Sequence, residues 1–232
     1  MNIHPLNKLF EKIYCLNLVE RPDRKEKIEK RFKELGIDVE FYDGVKHGWM
    51  KNFAKREDIL PNALSVSIDH YNVIKRAYLK GYKNIFIFED DTIFIDNFNE
   101  LLEEHLNYLP DDWDMMYLYL RTEGFFAPPI TNDYWSRARG ACVSAYGLNE
   151  KFYKSFLDEM DREFGVIDEV AGRFHNNPAT EITIKGYKCY ASIPNLCLQD
   201  FTNPSNIWPN QNLQNMKTYT TNMWNRKFEE YK

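Results

Sequence analysis

Ile85-Phe86-Ile87-Phe88-Glu89-Asp90-Asp91 is a short apolar run that ends in three consecutive acids. With Gly81 a few residues ahead of it, the run reads as a buried, parallel strand whose carboxyl end delivers acids to a crevice. In open α/β sheets ligands bind at that edge. Side chains alternate along a strand, so Glu89 and Asp91 start on one side and Asp90 on the other until the following loop turns. Hard divalent cations take such oxygens, and a diphosphate held through Mg²⁺ or Mn²⁺ needs only one or two carboxylates from the protein. A metal-assisted nucleotide-sugar site and a solvated acidic loop are the two readings of the motif by itself.

Outward from this strand the chain alternates strands and helices. Ile13 to Leu18 is β-rich, and Pro22 opens a charged helix that carries Ile28, Phe32 and Leu35 and stops at Gly36. Val39 to Tyr42 reads as the next strand, with Asp43-Gly44 as its turn. A helix from about Ala63 to Lys80, with Ile68, Tyr71, Ile74 and Tyr78 on one face, feeds the acid-ended strand. Asn97 is placed to cap a third helix, and Met115 to Leu120 is a further strand. Beyond it, Gly140 to Tyr146 and Gly186 to Pro194 read as strands around a helix from Asn149 to Met160. This order predicts an α/β fold with a mostly parallel central sheet flanked by helices. We expect one domain over 1–232, with 200–232 a covering loop and tail.

Composition narrows the function. The 232 residues, 44% hydrophobic, suffice for a full core, and a net charge of −5 offers no general basic field for nucleic acid. No run approaches a membrane span, and Met1 to Phe10 lacks a signal-peptide core. Cys15, Cys142, Cys189 and Cys197 show no zinc or redox spacing and read as reduced core thiols of an intracellular protein, which the lack of a membrane-span-length run leads us to expect to be soluble.

Tyr14-Cys15-Leu16-Asn17-Leu18-Val19-Glu20-Arg21-Pro22-Asp23-Arg24 resembles the opening of glycosyltransferase family 25, in which an Asn-Leu pair precedes Arg-x-x-Arg and a helix. Matches continue in order through Tyr42-Asp43-Gly44, Ser67-Ile68-Asp69-His70, Phe88-Glu89-Asp90-Asp91 and Asp112-Trp113-Asp114. Later come Ala141 to Tyr146, Val166-Ile167-Asp168, and Gln199 with Ser205-Asn206-Ile207. The likeness spans roughly residues 13 to 207 and is far more specific than an acidic triplet. It departs at Ser65-Val66, where the family usually has Gly-Cys, and at Asp69, where it usually has Ser before the His. The family holds bacterial lipooligosaccharide galactosyltransferases and collagen hydroxylysine glycosyltransferases. The resemblance implies a GT-A-like nucleotide-sugar-binding fold, a UDP-galactose or UDP-glucose donor, Mn²⁺ (or Mg²⁺), and a glycan or collagen-type acceptor.

It also implies roles. Asp91 is the first choice of metal ligand, with Glu89 or Asp90 orienting ribose or metal-bound water and His175 as a late ligand. Asn17 and Leu18 form the uridine edge, and Arg21 and Arg24 at a helix start are aimed at phosphate, the alternative of a solvated charge run fitting Arg24 better than Arg21. Asp43, Gly44 and His70 line the nucleotide pocket, His70 being equally suited to helix packing. Asp168, with Glu169 as understudy, is the base for an inverting transfer. Trp135 and Trp208, in polar loops, are candidates for stacking on an acceptor sugar. A nucleotidyl transferase or nucleotide-sugar hydrolase would need a basic phosphate-gripping loop, which the sequence lacks. The rival from another class is a catalytically silent carbohydrate- or partner-binding module of the same fold.

Overall fold

The computed structural model describes residues 3–44, 46, 61–121, 129–162, 165–175 and 184–200. Trp208 and the tail 201–232 lie outside them.

The elements run α1 (Pro5–Leu9), β1 (Lys12–Leu18), α2 (Pro22–Leu35), β2 (Glu40–Gly44), α3 (Pro61–Lys80), β3 (Asn84–Glu89), β4 (Thr92–Phe94) and α4 (Phe98–Asn107). They continue with β5 (Met115–Arg121), β6 (Trp135–Arg137), β7 (Ala141–Asn149), α5 (Glu150–Arg162), α6 (Ile167–Phe174), β8 (Cys189–Ser192) and β9 (Cys197–Gln199). A seven-stranded sheet has the order β2-β1-β3-β7-β5-β8-β6, and β4 with β9 makes a separate pair. Strands β2, β1, β3, β5 and β8 share one direction; β7 and β6 oppose it. The α/β expectation is met, with the acid-ended strand at the heart of the sheet.

Alternation along the strands divides the core in two. Leu16, Ile85, Ile87, Tyr117 and Tyr146 face α3, α5 and α6, where Val73, Ile74, Phe152, Phe156 and Phe174 meet them. Cys15, Phe86, Phe88, Met116 and Leu118 face α1, α2 and α4 through Leu6, Ile28, Phe32, Phe98 and Leu102. Phe86 and Phe88 are fully buried with ring centroids 4.6 Å apart, so truncating Phe88 to Ala would cost about 3–5 kcal/mol. Because both faces of the sheet are covered, β3 is a continuous apolar run rather than an alternating one.

The termini of α2 follow the local sequence. Pro22 fits the first turn, and Gly36 ends the helix at φ 76°, where its N–H reaches Lys33 C=O and that of Ile37 reaches Phe32 C=O. Asn97 does precede α4, but at φ 57° its side chain makes no capping bond. Asp43-Gly44 is not a turn: both residues stay in β2, opposite Asn17 and Leu18. Trp135 is no acceptor platform either. It is fully buried in β6, its indole N–H donating to His105 C=O at 2.7 Å. All four cysteines are free, Cys142 being only partly buried. Among the described residues no helix is long and apolar enough to cross a membrane.

Candidate active site

Parallel pairing sets the ends of three strands side by side, with Asn17 opposite Asp43, Leu18 opposite Gly44 and Leu16 opposite Glu89. The carboxyl ends of β1, β2 and β3 therefore form one rim, the place where open α/β sheets bind ligands. Gly44 is confined there, because a Cβ would collide with the buried Asp69 carboxylate from α3. The departure from the family pattern at position 69 thus sits in the wall of the rim.

The three acids occupy three environments. Asp90 is locked: Asn17 Nδ2 donates to its Oδ2 at 2.7 Å, and Arg24 Nη1 lies 2.9 Å from its Oδ1. Arg24 is buried, not solvated, and it also approaches Asp91 Oδ2 at 3.7 Å. This corrects the reading of Arg24 as part of a charge run. The arginine fork is recruited inward by carboxylates 66 residues away, which its local sequence does not reveal.

Glu89 points to the opposite face. Its Oε1 lies 3.1 Å from Nε2 of fully buried His70, whose Nδ1 lies 2.8 Å from the Tyr146 hydroxyl. Burial holds His70 neutral, pushing its pKa down to about 3. His70 thus joins the rim and the α3 packing at once. Strand β3 ends at Glu89, so alternation ends there too, and Asp91 swings to the Arg24 side.

Asp91 is not a solvated loop acid. Its side chain is 14% exposed, Gln199 Nε2 donates to its Oδ2 at 3.1 Å, and its Oδ1 is buried without a partner. Burial, together with mutual repulsion among the neighbouring acids, holds Glu89 and Asp91 well above the usual carboxylate range.

Asp168 stands at the start of α6 with Glu169, both in the first turn. Val143 N–H donates to Asp168 Oδ1 at 3.0 Å. The N-terminus of α6 lacks a cap of its own, and the buried Ser67 hydroxyl of α3 accepts from Ile167 N–H at 2.8 Å instead. Burial and the nearby Glu89 charge raise Asp168 to about 6. Cys142 lies beside it at the left-handed φ of 74°, its thiol pushed up by burial.

The remaining predicted residues are more scattered. Arg21 makes a two-point pair with Asp23 at 2.8 and 2.7 Å and stays at the rim. Asp43 is exposed and pairs with Lys25 at 3.2 Å. His175 caps the end of α6, buried edge-on to Tyr117 at 5.4 Å, with both ring nitrogens unpartnered. Among the described residues no three His, Cys, Asp or Glu side chains are grouped to hold a metal, so His175 does not complete a set with Asp91 and Glu89.

The donor chemistry at the end of β3 fits a divalent cation. Asp91 Oδ1 is a hard oxygen left buried and unpartnered, while both oxygens of Asp90 are occupied. One or two carboxylates of this kind suit a cation whose other ligands come from a diphosphate and water.

The chain is similar in sequence to known proteins. The sequence model described as "Glycosyltransferase family 25 (LPS biosynthesis protein)" matches residues 10–130. "Inactive glycosyltransferase 25 family member 3" of Homo sapiens is 26% identical over 129 residues, 47% of this chain and 22% of its own length. "Procollagen galactosyltransferase 1-A" of Xenopus laevis is 27% identical, covering 47% of this chain and 21% of that protein. "Lipooligosaccharide biosynthesis protein lic2B" of Haemophilus influenzae is 27% identical over 109 residues, 43% of this chain and 38% of its own. The matched part is thus about a fifth of the length of the human and frog relatives.

Proposed function

The chain belongs to glycosyltransferase family 25, and from that membership we propose that it transfers a hexose from a UDP-sugar to a glycan or collagen-type hydroxylysine acceptor. One observation supports the reading: the three acids at the end of β3 fall into three different environments, only one of which leaves a buried carboxylate oxygen without a partner among the described residues. Asp90 secures β1 and α2, Asp91 offers a free oxygen, and Glu89 faces His70 and the Asp168 side.

Asn17, Leu18 and Gly44 line the edge for the uridine, and Arg21 is placed to release its exposed partner Asp23 for a phosphate. Asp91 would hold Mn²⁺ or Mg²⁺ through its unpartnered Oδ1, the ion's other ligands coming from the diphosphate and water, while Glu89 stays on the His70 face. When bound, such an ion supplies Lewis-acid stabilisation of the charge on the departing diphosphate. In an inverting transfer Asp168 accepts the proton of the acceptor hydroxyl as its oxygen bonds to the anomeric carbon and the bond to UDP breaks. A carboxylate raised to about 6 is well matched to that task near neutrality. Glu169 is the alternative base on the same turn of α6.

The human relative's name contains the word inactive, which keeps a silent sugar-binding module as the second reading. A donor screen for UDP release with and without Mn²⁺, using collagen peptides and simple glycosides as acceptors, decides between them. Transfer in the presence of one acceptor supports the enzyme. Binding of UDP and Mn²⁺ with no release on any acceptor supports the silent module.

A further inference from the structure

The rim is closed by a segment far from it in sequence. Strand β9 returns beside β4, pairing Gln199 with Thr92, and brings two contacts to Asp91. Gln199 Nε2 donates to Asp91 Oδ2 at 3.1 Å, and Asp200 N–H donates to Asp91 C=O at 2.6 Å. Asp200 is itself fastened, its nearly inaccessible carboxylate lying 2.6 Å from Lys27 Nζ and 3.1 Å from Arg31 Nη2 on α2. Arg31 also donates to Thr92 C=O at 2.7 Å, tying the same helix to β4. The outcome is a carboxylate with one oxygen held and the other, Oδ1, buried and unpartnered.

We propose that Gln199 is a positioning residue of the cation site, holding Asp91 by Oδ2 so that Oδ1 alone faces the ion, with Asp200 anchoring the strand that carries it. The proposal rests on the cation reading of Asp91. A carboxylate free to rotate would have to be ordered at the moment of binding, whereas one held by an N–H donor is already ordered. Arg24, at 3.7 Å from Oδ2, is spent on Asp90 and does not replace that donor. Gln199 and Asp200 lie beyond the stretch 10–130 that the family model matches, so the proposed site is completed by the second half of the chain.

The test titrates Mn²⁺ into the full chain without donor, following loss of the free-ion electron paramagnetic resonance signal. It compares the parent, Gln199→Leu and Asp91→Ala, each with its thermal unfolding midpoint. Gln199→Leu should weaken Mn²⁺ about 10- to 100-fold at a nearly unchanged midpoint, and Asp91→Ala should abolish binding. Gln199→Met, equally long and without an N–H, repeats the measurement if Leu disturbs β9. Parent-like affinity in both Gln199 variants, with Asp91→Ala still losing the ion, overturns the positioning role alone. So does a loss that only tracks a lowered midpoint. Equal affinity in the parent and Asp91→Ala overturns the cation reading and this proposal with it.

Discussion

Arg24 and Asp90 form a buried ion pair at 2.9 Å, joining the first turn of α2 to the end of β3. Asn17 takes the second oxygen of Asp90, so the carboxylate is fully satisfied and cannot swing toward a ligand without breaking the rim. This separates Asp90 from its neighbours in role, although the three acids are adjacent in the chain.

Arg24→Ala should therefore destabilise the fold by about 3–5 kcal/mol, because it leaves Asp90 buried with Asn17 as its one remaining partner among the described residues. Urea unfolding of the parent and variant measures it. A loss below about 1 kcal/mol would mean that water or rearrangement replaces the guanidinium.

Asp91→Ala should abolish the dependence of UDP binding on a divalent ion while the fold survives. The fold survives because the acid's charge opposes folding: its folded pKa lies above the usual value, so its protonated form is the one that stabilises. That stabilisation is complete below about pH 4 and lost as pH rises through the raised folded value. Calorimetry of UDP with EDTA or Mn²⁺ tests the binding, and equal parent affinity under both conditions would remove the ion from the mechanism.

Asp168→Asn should cut transfer by about 10²-fold or more with UDP–Mn²⁺ affinity nearly unchanged. Stability should move the other way. With a folded pKa of about 6 against 3.8, protonated Asp168 stabilises fully below pH 3.8, and the contribution is gone above about pH 6. The uncharged Asn escapes that loss, so at pH 7 the variant should gain on the order of 2 kcal/mol relative to its parent when both are referenced to pH 4. Thermal melts across pH 4–7 read the difference, and a variant less stable than the parent at every pH would make Asp168 a structural cap.

Ser67→Ala removes the side-chain partner that Ile167 N–H has among the described residues at the start of α6. We expect a loss of about 1–2 kcal/mol in unfolding experiments. Because α6 carries Asp168, kcat should fall while UDP affinity holds. A parent-like kcat at reduced stability would show that α6 stays in place without the cap.

Much of the fold was legible because it follows local rules. Apolar runs of strand length, Pro22 and Gly36 at the ends of α2, and the 3.6-residue spacing in α3 each report on their own few residues. Short pieces escaped: β4, β6 and β9 have three residues each, too few for a period, and exist because a partner strand is near. Trp135 was misplaced for the same reason, since its polar neighbours did not reveal the core it enters.

The sequence by itself determined that an apolar strand would end in acids at the carboxyl edge of an α/β sheet, and it placed the chain in its family. It could not distribute the three acids. Alternation sends Glu89 and Asp90 to opposite faces, but only the tertiary structure decided that Arg24 and Asn17 would take Asp90, that His70 would meet Glu89, and that Gln199 would hold Asp91. Secondary structure is written in neighbours three or four residues apart. The environment of a buried charge is made by side chains that are 66, 73 or 108 residues away and adjacent only once the chain has closed.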